Sequence, residues 1–506
     1  MRLSVLAVAT LAALPVVAQP PAPLGDLVLG LRSRPSEALD AGFAGRALRD
    51  GTGNPQLIWS ELAGRTVPLR HSKDEILSWL SAMGAALGHG SLDHRFAQAS
   101  QWRGLEVWHF ELVRDGVVLF DAETCLYWQG DRCLGITNRC PKLGPIPTLP
   151  AERDGIVLYA LPGHSGTIVV AELRVSLDAT HRTMEIVHAG KVVHRMLQQR
   201  NWATASPTAT ITEYTPPGAV FPDQIWADSK GLIWFSDPNA NAIVVYDPTA
   251  NSFKSHPTTG YTLPDGLSVD DKDRVWTGLY GVNNGLGMLD AVTRTFVRYP
   301  PPSYTNAQLA IPTPTGRGTI LVTDHFAERV SEFDPKTATW LRSEVLPPAS
   351  YPVGAALEPE TDDGYFPLYS YHGLARLTPT GPITRIAAPS LSGPAFAGVH
   401  DGKVYFTYWS ANKLGEYDTK TNTVVEYLWR AGELGGPMAM APNGCPVIGT
   451  RSRGYIAIFD PLTKTFTDHL IPTTSPGLKD GLTVAPDGVI WFTESGARKI
   501  AKLVLP

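Results

Sequence analysis

The chain has 506 residues, of which 43% are hydrophobic, and this length exceeds that of one ordinary domain. Its formal net charge of -5, with Lys and Arg scattered in no basic run, excludes the concentrated positive surface that nucleic acid or an anionic membrane selects. The 47 Gly, 43 Pro and 13 Trp are typical of a turn-rich, mainly β protein. We therefore expect at least two domains and no nucleic-acid or membrane partner.

The N-terminus, "MRLSVLAVATLAALPVVAQP", combines one Arg, a short apolar run and small residues at Val16 and Ala18. This pattern predicts a signal peptide over residues 1–18 and a secreted or secretory-pathway protein. A membrane anchor is the alternative, but Pro15 and the following "AQPPAP" favour a cleavage region. No later segment of the sequence is long and apolar enough to span a bilayer.

Residues 25–200 are predicted to form an α+β domain. In "HSKDEILSWLSAMGAAL", Ser72 and Glu75 form a capping box at the start of a helix. Apolar residues follow at helical spacing: Ile76, Leu80, Met83 and Leu87. The β-like runs from "GLEVWHFELV" to "TMEIVHAGKVVHRML" predict one curved antiparallel sheet packed on one or more helices. This order resembles nuclear-transport-factor-2-like proteins, and "RFAQASQWRGLEVWHFELV" resembles the FTP and PepSY propeptide domains.

The chain has four cysteines. Cys125 and Cys133 have equal parity about Gln129 in a turn-like stretch, so they could project from one face of a hairpin and form a disulfide. Cys140 and Cys445 would then be either a second disulfide or two reduced thiols. The spacings match no zinc site.

After a linker at 201–208, residues 209–506 repeat one unit at a step of about forty residues. Prolines mark five of the units: Pro222, Pro264, Pro352, Pro394 and Pro437. "SYTNAQLAI" and "GLKDGLTV" fill the other two positions. Each unit has four short strands joined by turns such as "PDG", which predicts a seven-bladed β-propeller.

The last unit, "GLTVAPDGVIWFTESGARKIAKLVLP", has only three strands. The missing outer strand is predicted to be "ATITEYTPP", from Ala209 to Pro217, which precedes the first complete unit. The start of the repeat region would then close its end and leave the ring without a free edge.

The stretches "FPDQIWADSKGLIWFSDPNANAIVVYD" and "DGLTVAPDGVIWFTESGARKIAKL" resemble the virginiamycin B lyase, or streptogramin lyase, family. In that family a magnesium-dependent elimination opens the ester of a cyclic depsipeptide. The resemblance implies functional His residues in the last two blades, but those positions hold Met438 and Asp480 here. Only Glu494 matches a polar residue of the family site. Because both His positions differ, the resemblance supports the fold better than the mechanism.

The fourth residues of the "WFTE"-like strands are predicted to lie on innermost strands and face the central channel. They are Asp237, Leu279, Asp324, Tyr408, Thr450 and Glu494. Three more acids occupy the turns before the first strands: Asp223, Asp265 and Asp480. Carboxylates at one end of a channel could hold Mg²⁺ or Ca²⁺, as in propeller lactonases, with Asp237, Asp324 and Glu494 as ligands. Alternatively, these Asp side chains bind turn backbones.

His325 beside Asp324, together with Tyr408 and Arg451, completes the set of predicted catalytic residues. His325 could serve as a general base, or it could simply be packed at the end of a strand. Arg451 could clamp a substrate carboxylate, or it could pair with a channel acid. The sequence has no P-loop, no H-E-x-x-H and no G-x-S-x-G, and we expect neither nucleotide nor haem.

These features predict a secreted enzyme that acts on a small cyclic compound by elimination, lactone opening or isomerisation. One alternative is a non-catalytic binding or scaffold propeller, which the loss of both family histidines favours. Another is a biosynthetic cyclase or pericyclase, since such catalysis requires mainly a preorganised pocket. The sequence gives no oligomeric state.

Overall fold

The computed structural model describes residues 47–49, 55–58, 72–82, 89, 92–102, 105–130, 132–139, 145–150, 156–161, 167–177, 181–199 and 209–505. The last range has gaps at 259, 261–262, 281–282, 291, 303–308, 348–349, 391, 431–432 and 452–453. The predicted signal peptide (1–18) and linker (201–208) lie outside the described residues. No helix in the described ranges is long and apolar enough to cross a membrane.

The described residues before 200 form β1 (Ala47–Arg49), β2 (Pro55–Ile58), α1 (Lys73–Ala82), β3 (Asp93–Trp102), β4 (Leu105–Arg114), β5 (Val117–Gln129), β6 (Arg132–Arg139), β7 (Ile156–Ala160), β8 (Ile168–Leu177), β9 (His181–His188) and β10 (Lys191–Gln199). The helix begins after Ser72, whose Oγ accepts a hydrogen bond from the Glu75 N–H at 3.2 Å. This is one of the two hydrogen bonds of the predicted capping box.

Strands β3 to β6 are antiparallel, and the helix packs on one face of them. Ile76 and Leu80 of α1 are fully buried against an aromatic layer that includes Trp108, Phe110 and Trp128. A second antiparallel run, β7 to β10, joins β5 through a short parallel pairing. This run carries the chain to the edge of the propeller.

The hairpin β5–β6 contradicts the predicted Cys125–Cys133 disulfide. Its register pairs Gln129 with Arg132, so the turn is not centred on Gln129, and Cys133 lies opposite Trp128 while Cys125 lies opposite Thr137. Cys133 therefore packs in the core beneath α1, whereas the Cys125 Sγ lies 3.5 Å from His109 Nδ1. The described ranges contain no disulfide, and Cys140 lies outside them.

From residue 209 the chain forms repeated four-stranded antiparallel sheets. The strands are β11 (Thr210–Tyr214); β12 (Ile225–Ala227), β13 (Ile233–Asp237), β14 (Ala242–Asp247), β15 (Ser252–Pro257); β16 (Pro264–Val269), β17 (Val275–Leu279), β18 (Gly285–Leu289), β19 (Phe296–Tyr299); β20 (Leu309–Pro314), β21 (Ile320–Asp324), β22 (Arg329–Asp334), β23 (Thr339–Val345); β24 (Ala356–Leu357), β25 (Gly364–Leu368), β26 (Gly373–Leu377), β27 (Ile383–Ala387); β28 (Pro394–His400), β29 (Lys403–Tyr408), β30 (Lys413–Asp418), β31 (Thr423–Leu428); β32 (Gly435–Met440), β33 (Pro446–Thr450), β34 (Tyr455–Asp460), β35 (Thr465–Leu470); β36 (Leu482–Val484), β37 (Ile490–Glu494) and β38 (Lys499–Val504).

Six of these sheets are separate, and they form a β-propeller. The last sheet has the order β11-β38-β37-β36, so β11 supplies its outer strand, as predicted from the incomplete final unit. Strand β12 packs on β36, which joins the first sheet to the last. Phe235 and Tyr246 share a core with Trp491 and Ile500 across this junction.

The strands β28 to β31 form the same antiparallel meander but belong to a larger sheet. Strand β31 pairs in parallel with β10, from Met196 opposite Glu426 to Gln198 opposite Leu428. The N-terminal sheet therefore continues directly into the propeller. Further contacts support this junction: the Gln199 Oε1 accepts a hydrogen bond from the Phe466 N–H at 2.7 Å.

Candidate functional site

The "WFTE"-like strands are the second strands of their sheets, not the innermost ones. The first strands of neighbouring sheets pack on one another around the axis, as β12 does on β16 and β32 does on β36. Each second strand is enclosed by a strand on either side, and all five positions of β13, β21 and β37 are buried. The predicted ring of channel-facing residues is therefore one strand away from the axis.

Two predicted metal ligands bind backbone instead. Asp237 Oδ2 accepts a hydrogen bond from the Val220 N–H at 2.8 Å, and its Oδ1 accepts one from the Phe221 N–H at 3.0 Å. Asp324 Oδ1 accepts hydrogen bonds from the N–H groups of the two residues 326 and 327, at 3.1 and 2.9 Å. These contacts match the turn-binding alternative for Asp side chains.

Glu494, the third predicted ligand, is fully buried at the junction that closes the ring. Neither of its carboxylate oxygens has a hydrogen-bond partner among the described residues. Nearby, Lys499 Nζ donates to Glu213 Oε2 on β11 at 2.8 Å and to Thr473 Oγ1 at 2.8 Å. Burial, and then the charge of Glu213, raise the pKa of Glu494 to about 7.

This raised pKa predicts that Glu494 makes stability depend on pH. The folded state holds the proton more tightly than the unfolded state, so the contribution of Glu494 is complete below the unfolded pKa of about 4.3 and is lost as pH rises toward the folded value. Glu494→Gln should therefore flatten the fall in unfolding free energy between about pH 4 and about pH 7. Urea titrations at several pH values measure this, with the exposed Glu360→Gln as control. An unchanged pH profile would contradict it.

Tyr408 is also buried, and its hydroxyl is hydrogen-bonded. Its hydroxyl donates to Glu426 Oε1 at 2.6 Å, and Glu426 Oε2 accepts from Ser390 at 2.6 Å and contacts His194 Nε2 at 2.9 Å. Lys413 Nζ lies 3.5 Å from the same carboxylate. This network joins the N-terminal sheet to the propeller, and it gives Tyr408 a structural role.

The charged cluster that the structure does bring together lies at the N-terminal ends of the first strands. Lys479 Nζ lies 2.8 Å from Asp223 Oδ2, 3.2 Å from Asp480 Oδ2 and 3.7 Å from Asp265 Oδ1. Because the first, second and last sheets each contribute an acid, the cluster spans the closure of the ring. We refer to Lys479, Asp223, Asp265 and Asp480 as the lysine cluster.

Local backbone features bring these side chains close together. A bulge in β16 falls between Pro264 and Leu267 and so includes Asp265; bulges of this kind re-aim side chains. The Asp223 carbonyl oxygen accepts a hydrogen bond from the Thr493 hydroxyl at 2.6 Å. At Gly481 a Cβ would lie 2.0 Å from that same oxygen, so only glycine permits this approach of the first and last sheets.

Burial and mutual charge set the ionisation of the lysine cluster. Burial disfavours the Lys479 ammonium, but the three carboxylates together raise its pKa well above the ordinary value. Burial also raises the pKa of Asp223 well above its usual range; Lys479 opposes this, while Asp480 and Asp265 add to it. Three carboxylates thus share one ammonium, an arrangement that favours retention of a proton by the carboxyl groups.

Aromatic side chains lie beside the cluster. His325 stacks on Tyr351, with ring centroids 4.8 Å apart and an interplanar angle of 9°, and its Nδ1 contacts the Pro352 carbonyl oxygen. Burial lowers the pKa of His325, although the cluster acids Asp265 and Asp480 work in the opposite direction. A neutral imidazole whose Nδ1–H donates to that carbonyl keeps Nε2 as an acceptor, and the catalytic role of His325 stays a prediction.

Arg451 is 98% buried, and its guanidinium lies 4.5 Å from the centroid of the Trp409 ring. Burial lowers its pKa to about 10, and the charge of Asp480 opposes that shift. A Cβ at Gly436 would lie 2.8 Å from Arg451 Cγ, so the glycine makes room for the side chain. Asp480 therefore acts on Arg451 electrostatically, and the catalytic role of Arg451 stays a prediction.

The lysine cluster does not fit the divalent cation that the sequence predicts. The Lys479 ammonium already lies among the three carboxylates, where such a cation would be bound. Across the described ranges, no group of three or more His, Cys, Asp or Glu side chains is arranged to hold a metal ion. The cation at Asp237, Asp324 and Glu494 stays a prediction.

Comparisons with known proteins bear on the propeller. A streptogramin B lyase structure matches it with a TM-score of 0.54 and 22% identity, over 59% of this chain and 98% of that chain. Virginiamycin B lyase from Staphylococcus aureus matches with a TM-score of 0.54 and 20% identity, over 59% of this chain and 100% of that chain. The propeller has the lyase-type fold. Identities this low show the fold alone, and no protein-family model or curated protein matches the sequence.

Sequence reasoning missed Lys479, although a signal was present. In the repeats that begin the lyase-type propeller, Pro222 and Pro264 precede the acids Asp223 and Asp265, whereas Lys479 replaces that proline before Asp480. A buried position that changes from Pro to Lys beside an acid indicates an ion pair. Asp223, Asp265 and Asp480 were noted as turn residues, and they, rather than the second-strand acids, form the cluster.

Proposed function

We propose that the protein is a secreted enzyme whose lyase-type propeller, counted as seven-bladed with β28 to β31 as the fifth blade, acts on a small cyclic molecule. The observation that supports this proposal best is the lysine cluster, one buried ammonium among three carboxylates at one end of the central channel. Perturbed, clustered titratable groups of this kind are typical of catalytic sites.

The cluster contains both a general base and a general acid. Asp265 is its most accessible member, with 22% of its side chain exposed, and acts as the base. Asp223 is fully buried and favours the protonated form, so its proton reaches a substrate through the partly exposed Asp480. Lys479 stabilises negative charge that develops on the substrate, the role a metal ion has elsewhere.

An elimination reaction shows how these groups would act on a substrate. The Asp265 carboxylate removes a proton from the carbon next to a carbonyl, and the freed electron pair forms the C=C bond. The C–O bond on the neighbouring carbon breaks, and the departing oxygen takes the proton that Asp223 holds. Arg451 and Lys479 bind the carbonyl oxygen while it carries negative charge. Lactone opening by water or isomerisation would use the same groups.

The test is a panel of cyclic esters and lactones incubated with the full chain and followed by mass spectrometry and ultraviolet absorbance. Elimination opens the ring without a change of mass and adds a conjugated double bond, whereas lactone opening adds one water. Asp265→Asn should lower kcat/KM by about 10²- to 10⁴-fold, because it removes the base. Asp487→Asn, at an exposed turn of the last sheet, is the matched control.

Full activity of Asp265→Asn on the substrate that is turned over would contradict the proposal. Ligand binding without any turnover would favour a scaffold. Cyclisation of a linear precursor that does not depend on Asp265 would favour a cyclase or pericyclase, which needs mainly a preorganised pocket.

A further inference from the structure

A cleft of about 700 Å³ lies between the N-terminal sheet and the outer strands of two propeller sheets. Its walls are residues 192–195 of β10, residues 384–387 of β27 and residues 422–425 at the start of β31. The cleft shares no lining residue with the lysine cluster, so it does not depend on the proposed function. Its size is that of a site for a small organic molecule.

The cleft opens where the pairing of β10 with β31 ends. The two strands pair only from residue 196 to 198 of β10 and from 426 to 428 of β31. Closer to their N-terminal ends, each pairs on its other side, β10 with β9 and β31 with β30. The two strands therefore present facing edges that are not bonded to each other, and side chains from both edges line the space.

The charge of the lining is entirely positive. Among the described residues that line the cleft, three are arginines and none is Asp or Glu. Arg195 pairs with Glu185 at 2.7 Å, and Arg376 bonds Asp363 at 2.9 Å. Arg385 makes no ion pair within the described part of the chain; its Nη1 donates to the Tyr371 hydroxyl at 3.1 Å. An arginine without a carboxylate partner leaves the cleft cationic in a chain of net charge -5.

The remaining lining is divided between polar side chains, His194 and Tyr417 among them, and apolar side chains. Thr384, Asn422 and Thr423 offer polar groups beside the arginines. The apolar part consists of Val192, Val193, Ile386, Ala387, Pro389, Val424 and Val425. We propose that this cleft binds a small amphipathic anion, with its carboxylate or phosphate on Arg385 and its apolar body against the valines.

Calorimetric titration of the full chain with decanoate, and with its neutral amide, tests the proposal. Wild type should bind decanoate, and Arg385→Gln should weaken this binding by about 10- to 100-fold because a charged hydrogen bond is lost. The amide should bind both proteins equally. Val424→Trp should weaken both ligands because it fills the cleft. Arg182→Gln, an exposed arginine of β9 outside the cleft, should leave decanoate binding unchanged.

Folding of each variant is checked by thermal unfolding, and Arg385→Lys keeps the charge if Arg385→Gln proves unstable. Partial retention of decanoate affinity in Arg385→Lys supports the charge argument. Equal decanoate affinity in wild type, Arg385→Gln and Val424→Trp would overturn the proposal. Failure of wild type to bind decanoate would overturn it too.

Discussion

Replacing Lys479 with methionine should lower the free energy of unfolding by about 3–5 kcal/mol at neutral pH. The change removes the ammonium that lies within 3.7 Å of the three carboxylates Asp223, Asp265 and Asp480. Buried carboxylates without a counter-ion are costly, since their repulsion is weakly screened and their hydration is lost. Urea unfolding followed by tryptophan fluorescence measures the loss.

The pH dependence of this loss identifies its cause. Without Lys479 the carboxyl groups bind protons more tightly when folded than when unfolded, so stability is recovered as pH falls. The deficit should therefore shrink between about pH 8 and about pH 5. Lys272→Met, at an exposed turn, should change stability by less than about 0.5 kcal/mol. A deficit that stays constant with pH would show that lost packing, not charge, is responsible.

Glu426→Gln should also cost about 3–5 kcal/mol and weaken the junction between the N-terminal sheet and the propeller. Glu426 is fully buried and accepts hydrogen bonds from Ser390 and Tyr408, while His194 and Lys413 also contact it. The neutral amide would remove the negative charge that lies 3.5 Å from the buried Lys413 ammonium. Urea unfolding measures the cost, and limited proteolysis should show faster cleavage between the two parts of the chain.

The pKa of Glu426 determines how the stability loss in Glu426→Gln changes with pH. Burial alone would raise the pKa of Glu426, but Lys413 and His194, with the hydrogen bond from Ser390, hold it well below its ordinary value. A depressed pKa contributes stability above the unfolded value of about 4.3, and that contribution is lost as pH falls below it. The difference between wild type and Glu426→Gln should therefore shrink in acid. The exposed Glu360→Gln is the control, and an equal loss in both variants would contradict this account.

The features that sequence predicted well are set by local chemistry. The capping box at Ser72 marks the start of α1, and the repeated turns mark four-stranded sheets. The last unit lacks one strand in sequence, and β11 was correctly predicted to supply it, because a ring with a free edge is unfavourable. Seven blades are counted only if β28 to β31 form one of them. In the structure these four strands belong to the same sheet as the N-terminal strands.

The features that sequence missed depend on register and on distant pairs. A mostly apolar strand such as "IWFSD" does not show whether it lines the axis or is enclosed, so Asp237 and Glu494 were placed one strand too far inward. The hairpin β5–β6 turns beyond Gln129, which places Cys133 opposite Trp128 and not opposite Cys125. The partners Lys479 and Asp223 are 256 residues apart in sequence, and only closure of the ring brings them together.

The most direct test of the central claim, that the Lys479 ammonium takes the place of a metal ion among three carboxylates, is calorimetric titration of the chelator-stripped protein with Mg²⁺, Ca²⁺ and Mn²⁺. Wild type, Lys479→Met and Asp265→Asn are compared. We predict no binding at the cluster in wild type and a new cation site in Lys479→Met, after the carboxylates close to metal–oxygen distances of about 2.3–2.6 Å. Binding by wild type that Asp265→Asn abolishes would contradict the claim and place a metal in the cluster.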